Sequence, residues 1–305
     1  MGKIAFVFAG QGAQYPGMGQ ALAQCSEGAR EVFAKLDAIR PGTSAQCFSG
    51  RDEDLKNTAN TQPCMFAVEL AAAAALAEKG IRADMTAGFS LGELAALTYS
   101  GAASLETGFR LVCRRGELMA RDAEAEPSTM AAVLKLTNEQ VEAVCGRFAE
   151  VYPVNYNCPG QVSVACRKEQ LKPFSAAVKE AGGRALPLKV QGGFHSPFMA
   201  KAAEDFAGVL AQADLAQPEI PLYSNCTGAV YAGDPGALLS RQISSPVRWE
   251  TIVRSMIAAG VDTFLELGPG RTLCGLIEKI DGTVRAFPME TQADLETICK
   301  EVAGC

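Results

Sequence analysis

One short stretch constrains this chain more than any other: "ADMTAGFSLGELAAL", residues 83–97. Ala83 to Ala87 reads as a short buried strand, and Leu91 to Tyr99 is rich in helix formers. Between them Ser90 stands in Gly88-Phe89-Ser90-Leu91-Gly92. A strand that turns at once into a helix is the grammar of α/β folds, whose sites lie at the carboxyl ends of parallel strands. Gly-x-Ser-x-Gly at such a turn makes a nucleophile elbow. The glycines let backbone approach backbone, the serine protrudes, and the new helix aims its free N–H groups and positive end at it. A serine capping the helix would occupy the same place. The strand before it and the helix after it favour the nucleophile.

A serine hydroxyl needs a base to act at neutral pH. The chain has 1 histidine, His195 in "QGGFHSPFM". If an imidazole works here, it is this one. The alternative is a histidine that caps the helix starting near Pro197 or packs in the core. Its position after a glycine pair, where the chain returns to the α/β pattern, favours the base, because clefts form at such junctions.

The return matters because the middle of the chain has a different rhythm. Lys3 to Phe8 is an apolar strand, Gln62 to Lys79 a long apolar helix, and Leu105 to Arg121 an amphipathic one. From Met130 the order becomes strand (130–136), helix (137–148), strand (151–156), strand (162–166), helix (168–181) and strand (184–190). Thr137 and Gln140 form a capping box at the first of these helices. The turn "NCPGQ" separates the two middle strands. The β-α-β-β-α-β order is that of a ferredoxin-like unit. Afterwards helix and strand alternate again: helices at 200–211, 251–259 and 293–302, strands at 220–224 and 263–267. The expected fold is therefore α/β, with a large domain over 1–127 and 193–305 interrupted by a ferredoxin-like small domain over 128–192.

Composition narrows the function. With 28 Lys+Arg against 34 Asp+Glu the net charge is -6, which speaks against a nucleic-acid or membrane binder as a whole. The 11 cysteines include no CxxC pair, none lying closer together than Cys299 and Cys305. With a lone histidine this leaves no Cys/His zinc pattern, so no metal is expected. Most of the cysteines read as small buried hydrophobes in a reducing cytosol. "IAFVFAG" is too short for a secretory segment, and "AVELAAAAALAEKG" carries Glu69 and ends in charge, as a buried helix would. A cytoplasmic, monomeric protein is expected.

At this point several stretches fall into one pattern. "FVFAGQGAQYPGMG", "GFSLGELAAL", "RRGELMA", "NYNCPGQVSVA", "FHSPFM", "RQISSPVRW" and "ELGPGRTLCGL" resemble, in order and spacing, the acyltransferase family of fatty acid and polyketide synthesis that includes malonyl-CoA:acyl carrier protein transacylases. The resemblance covers essentially the whole chain. It implies an α/β-hydrolase-like large domain carrying the ferredoxin-like insert. It also implies roles: Ser90 as acyl-accepting nucleophile, and His195 as general base and acid. A backbone carbonyl, at Gln242, orients the imidazole in place of a carboxylate. The amides of Gln11 and Leu91 would form the oxyanion hole.

Arg115 corresponds to the arginine that holds the malonyl carboxylate. A planar guanidinium binds a carboxylate bidentately and keeps its charge in a cleft. On a helix Arg115 shares a face with Leu111, Leu118 and Met119, whereas Arg114 lies with Arg110. The same resemblance implies that Met119 lines the acyl pocket, that Asn157 and the "NCPGQ" turn form the small-domain wall of the cleft, and that Phe194 beside the base excludes methyl-branched acyl groups. Two of these have a plainer reading, as core for Met119 and as turn chemistry for Asn157. Phe89 departs from the family, which usually has histidine there, so the departure touches acyl preference and leaves the base in place.

The expected reaction is a ping-pong transfer of malonyl from malonyl-CoA, as a coenzyme A thioester substrate, to the phosphopantetheine thiol of acyl carrier protein. No cofactor is expected. Since carrier proteins are acidic, a basic patch at the cleft mouth is expected as well, with Arg114, Lys189 and Arg271 as members. An acyl hydrolase on the same fold and a non-catalytic scaffold are the alternatives. An arginine reserved for a carboxylate argues against the hydrolase, and an intact Ser90–His195 pair against the scaffold.

Overall fold

The computed structural model of the chain describes residues 2–303, so Cys305 lies outside the described residues. Its strands are β1 (Lys3–Phe8), β2 (Met85–Gly88), β3 (Ser128–Leu134), β4 (Val151–Cys158), β5 (Gln161–Arg167), β6 (Arg184–Pro187), β7 (Leu222–Tyr223), β8 (Val261–Leu267) and β9 (Arg285–Met289). They form two sheets. One is parallel, in the order β7-β2-β1-β8-β9. The other is antiparallel, in the order β4-β5-β3-β6.

β1 explains why the first sheet is parallel and covered. Phe6 and Phe8 point into one apolar cluster and Ala5 and Val7 into another, so the strand is buried on both faces. Such a strand needs helices on both sides, which is the usual setting of parallel sheets. Helix Thr58–Glu78 packs on the Phe6/Phe8 side, and helices Trp249–Ala258 and Thr272–Ile280 on the other. In the register Phe8 is level with Gly88 on one side and Leu267 on the other. The loops leaving β1, β2 and β8 therefore open at one edge.

The second sheet is joined to the rest of the chain by backbone as well as by packing. Tyr156 N–H donates to Val247 O (2.9 Å), and Val247 N–H donates to Val154 O (2.9 Å). β4 is thus stitched to the segment just after helix Pro235–Gln242.

Several boundaries differ from the sequence reading, for identifiable reasons. The long helix begins at Thr58 rather than Gln62, because Asn57 caps it by accepting from Ala59 N–H (3.0 Å) and Pro63 is carried inside. β4 runs through Asn157 to Cys158, leaving only Pro159 and Gly160 for the turn that "NCPGQ" suggested. Gly160 has φ +75, a conformation glycine adopts without cost. β7 is only two residues long, since Pro221 has no N–H and contributes only its carbonyl, which accepts from Thr86 N–H (2.8 Å). The expected capping box at Thr137 and Gln140 is present. The short helices between residues 20 and 56, helices Pro235–Gln242 and Thr272–Ile280, and β9 are additions to the reading.

Candidate active site

The elbow begins with two glycines that cannot be replaced cheaply. A Cβ on Gly88 would lie 1.9 Å from the carbonyl carbon of Gly92, and one on Gly92 would lie 2.4 Å from Phe8 O. The new helix Gly92–Tyr99 therefore sits directly on the end of β1. That closeness forces the chain around sharply, and Ser90 is left at φ 56 in the left-handed region. Only Ser90, Lys135 and His195 among the described non-glycine residues have positive φ. Two of those three form the site, which is where strained backbone concentrates when surrounding contacts hold it.

Asn225 supplies one such hold. Its Oδ1 accepts from Ser90 N–H (2.8 Å) and its Nδ2 donates to Gly88 O (2.6 Å), clamping both sides of the turn. Ser90 is not the helix N-cap; Leu91 fills that position.

His195 reaches the elbow from across the cleft. Ser90 Oγ and His195 Nε2 are 2.7 Å apart. His195 Nδ1 lies 2.9 Å from the main-chain oxygen of Gln242. A carbonyl oxygen only accepts, so Nδ1 carries the proton and Nε2 presents its lone pair to the serine hydroxyl. The imidazole is 3% exposed. Burial, and then the Arg115 charge, push its pKa down to about 4. At neutral pH it is an unprotonated base.

Arg115 is 0% exposed on helix Leu105–Ala125. Nη1 donates to Gln62 Oε1 (2.8 Å), and Nη2 donates to Gln242 Oε1 (2.7 Å) and more weakly to Ser90 Oγ (3.3 Å). Its Nε has no protein partner. Burial lowers the guanidinium pKa to about 10, so it remains charged at pH 7. A desolvated cation with an unused N–H, beside a serine hydroxyl, can receive an anionic group.

These residues border a cleft of about 290 Å³ between the two sheets. Gln11 and Leu91 both line it, and their amides donate to no acceptor among the described residues. The Gln11 side chain is tied to Thr58 Oγ1 (3.2 Å), which fixes the loop after β1. Two unused amides beside a half-buried hydroxyl fit a developing oxyanion. Met119, Asn157, Phe194 and Phe89 also line the cleft. Met119 Sδ accepts from Gln62 Nε2 (3.4 Å), Asn157 Nδ2 donates to Ser163 Oγ (3.3 Å), and Phe89 packs edge-on against Trp249 with ring centroids 5.5 Å apart.

The basic trio expected at the mouth is less uniform. Arg114 pairs with Glu117 (2.7 Å) and Arg271 with Glu278 (3.1 Å), both on the surface. Lys189 stands between Leu188 and Val190, which line the cleft.

Several functional neighbours escaped the sequence reading: Gln62, Glu93, Asn225, Tyr231, Glu266 and the side chain of Gln242. Glu93 carries a weak signal, as an acidic residue in the first turn of a helix, but a favourable helix dipole explains it equally well. Glu266 caps helix Thr272–Ile280, accepting from Leu273 N–H (2.9 Å) and Cys274 N–H (2.7 Å).

Comparison defines the class of protein: the chain belongs to the acyl transferase family, matching its acyl transferase domain over residues 5–294. Its relatives are more particular. It is 37% identical over 306 residues to the malonyl CoA-acyl carrier protein transacylase of Bacillus subtilis (strain 168), covering 98% of this chain and 96% of that one. The enzyme of the same name from Staphylococcus aureus (strain MRSA252) is 33% identical over 305 residues, covering 97% and 98%. Among solved structures, the malonyl CoA-acyl carrier protein transacylase of Clostridium perfringens superimposes with a TM-score of 0.96 at 35% identity, covering 99% and 98%. A type II PKS acyl-carrier protein in complex with its malonyl-transacylase gives 0.93 at 35%, covering 98% and 99%.

Proposed function

We propose that this protein transfers malonyl from malonyl-CoA to the phosphopantetheine thiol of an acyl carrier protein, supplying extender units for fatty acid or polyketide synthesis. One observation carries the reading. The hydroxyl of Ser90 lies between a neutral imidazole at 2.7 Å and a buried guanidinium at 3.3 Å. The first can make it a nucleophile, and the second selects an acyl group with a carboxylate.

In the first half-reaction Ser90 Oγ attacks the thioester carbonyl carbon while His195 Nε2 takes its proton. The resulting oxyanion is held by the Gln11 and Leu91 amides. The C–S bond then breaks, and His195 returns the proton to the departing CoA thiolate. Malonyl remains as a Ser90 ester with its carboxylate on Arg115. In the second half His195 takes the proton of the carrier thiol, whose sulfur attacks the ester. Ser90 leaves as alkoxide and recovers the proton. The Gln242 carbonyl stabilises the imidazolium in both halves, as a carboxylate does in a Ser-His-Asp triad. Each step uses groups already named, so the proposal calls on no metal and no redox cofactor.

The finer fold description belongs to this reading. The β-α-β-β-α-β chain order and the β4-β5-β3-β6 sheet order support a ferredoxin-like unit over 128–192. It is set into an α/β-hydrolase-like domain formed by 1–127 and 193–305. No helix among the described residues is long and apolar enough to cross a membrane. A cytoplasmic monomer without nucleic-acid or membrane partners completes the proposal, and net charge -6 speaks against a nucleic-acid partner.

Intact-protein mass measurement tests the reading. Malonyl-CoA should leave one malonyl group on the wild-type chain and none on Ser90→Ala, and acyl carrier protein should discharge it. Discharge by water at the same rate without carrier would identify a hydrolase instead, and absence of any adduct would refute enzymatic acyl transfer.

A further inference from the structure

Glu93 is a completely buried carboxylate one turn from the nucleophile, and the mechanism above does not use it. Three donors converge on it. Oε1 accepts from Tyr231 Oη (2.6 Å) and from Asn225 N–H (3.2 Å), and Oε2 accepts from Gln242 Nε2 (2.8 Å). The other proton of Gln242 Nε2 goes to Ser90 O (2.7 Å). With both amide protons committed to acceptors, the Gln242 oxygen has one direction left. It faces Arg115 Nη2 at 2.7 Å. An amide turned the other way would set N–H groups against the guanidinium and an oxygen against two oxygens.

We propose that Glu93 is a positioning residue that fixes which way the Gln242 amide faces and thereby presents Arg115 to the carboxylate of the acyl group. This role rests on the transferase reading above and adds to it a source of malonyl selectivity outside the acyl pocket. The main-chain oxygen of Gln242, which serves His195, is held by helix geometry and does not depend on the amide. Losing the Glu93 contact therefore strikes the carboxylate receptor harder than the nucleophile.

The geometry also says why glutamine cannot substitute. Asn225 N–H and Gln242 Nε2 are fixed donors on opposite oxygens of Glu93. The amide introduced by Glu93→Gln would have to set its own NH2 against one of them. Burial raises the Glu93 pKa to about 7, and the three hydrogen bonds and Arg115 oppose that rise. The titratable and charged groups facing it are Arg115 from helix Leu105–Ala125, and Tyr231 and Cys226 from the segment after β7, with Arg241 beyond Cys226.

The test is the rate of Ser90 adduct formation from malonyl-CoA and from acetyl-CoA, which lacks the carboxylate, in wild type, Glu93→Gln and Arg115→Ala. Arg115→Ala sets the scale for a lost receptor. Glu93→Gln should lower the malonyl-to-acetyl rate ratio by about tenfold, equivalent to ~1.4 kcal/mol, with the acetyl rate changed by less than about threefold. A folded Glu93→Gln protein that keeps the wild-type ratio, or loses both rates in parallel, overturns the proposal. Should that variant not fold, Glu93→Asp decides, since the shorter side chain keeps the carboxylate but withdraws it from the Gln242 amide. The malonyl-to-acetyl ratio should then fall several-fold, with the acetyl rate nearly kept. An unchanged ratio overturns the proposal. Wild-type protein without any malonyl adduct overturns both readings, whereas an adduct with an unchanged ratio overturns the Glu93 role alone.

Discussion

The cleft has two sides, and they treat their polar groups differently. On the parallel-sheet side, Ser90, Asn225, Glu93 and Gln242 bond to one another through most of their polar atoms. On the small-sheet side, the Oδ1 atoms of Asn155 and Asn157 are buried at the cleft without any protein partner. Arg115 Nε and the Gln11 and Leu91 amides share that open state, although they sit beside the elbow. On the proposed mechanism the difference separates two tasks. Groups that hold the nucleophile or aim Arg115 must be satisfied before substrate arrives, because an unpaired buried polar atom costs about 1–3 kcal/mol and would let the arrangement relax. Groups that receive substrate must be left open, and bear that cost until it binds.

The sharpest way to break this contrast is to remove the base. His195→Ala should slow Ser90 acylation by malonyl-CoA by ~10⁴-fold or more, the scale seen when one member of a serine–histidine unit is lost. Single-turnover mass measurement reads it directly. A loss below about a hundredfold would mean that the hydroxyl is activated by another group, and the prearranged side would not be the source of reactivity.

A smaller effect separates the two sides by stability. Gly88→Ala puts a methyl group against the Gly92 backbone, where no flexible side chain can give way. It should cost about 3 kcal/mol or more, the upper range for overpacking. Gly160, at the tip of the small-sheet hairpin, has nothing within 4 Å of the place a methyl group would take, and only its φ of +75 to protect. Gly160→Ala should therefore cost about 1–2 kcal/mol. Denaturant unfolding of both variants checks the order. Equal losses would show that the elbow is not more tightly built than the turn.

How legible each side was follows from the same division. The elbow could be read because steric necessity acts locally: a glycine two residues either side of Ser90 leaves its mark within one short motif. His195 could be read because it is alone, and the inward face of Arg115 because its helical neighbours Leu111, Leu118 and Met119 are apolar, although its role comes from the family resemblance. Gln62, Glu93, Asn225 and Tyr231 could not, since each meets its partner only after distant segments pack. Gln62 lies in an apolar helix beside Pro63, where it reads as a helix start, yet its oxygen holds Arg115 from 53 positions away. Asn225 and Tyr231 fall in a loop after a two-residue strand, with no periodicity to place them. β9 was hidden differently, because "RAFPM" is a half-exposed edge strand with a proline in it, and proline counts against a strand unless the edge is known. Helix Pro235–Gln242 did carry a signal, Asp234 as cap followed by Pro235, in a segment too short for apolar periodicity to confirm it.

The smallest predicted effect lies on the open side. Asn157 donates through Nδ2 to Ser163 Oγ and keeps Oδ1 free, so its amide is held in place by one bond and has one acceptor to offer substrate. A neutral hydrogen bond contributes about 0.5–1.5 kcal/mol net, which limits Asn157→Ala to roughly a tenfold rise in KM for malonyl-CoA. The turnover step should be almost unaffected, because Asn157 is hydrogen-bonded to neither Ser90 nor His195. Uniform loss of binding raises KM and leaves kcat, whereas a group acting in the transition state lowers kcat. Steady-state kinetics of Asn157→Ala thus distinguishes a receiving wall from a second set of reactive groups. A fall in kcat with KM unchanged would put the small sheet among the groups that act on the reacting bond, and the division of labour across the cleft would have to be redrawn.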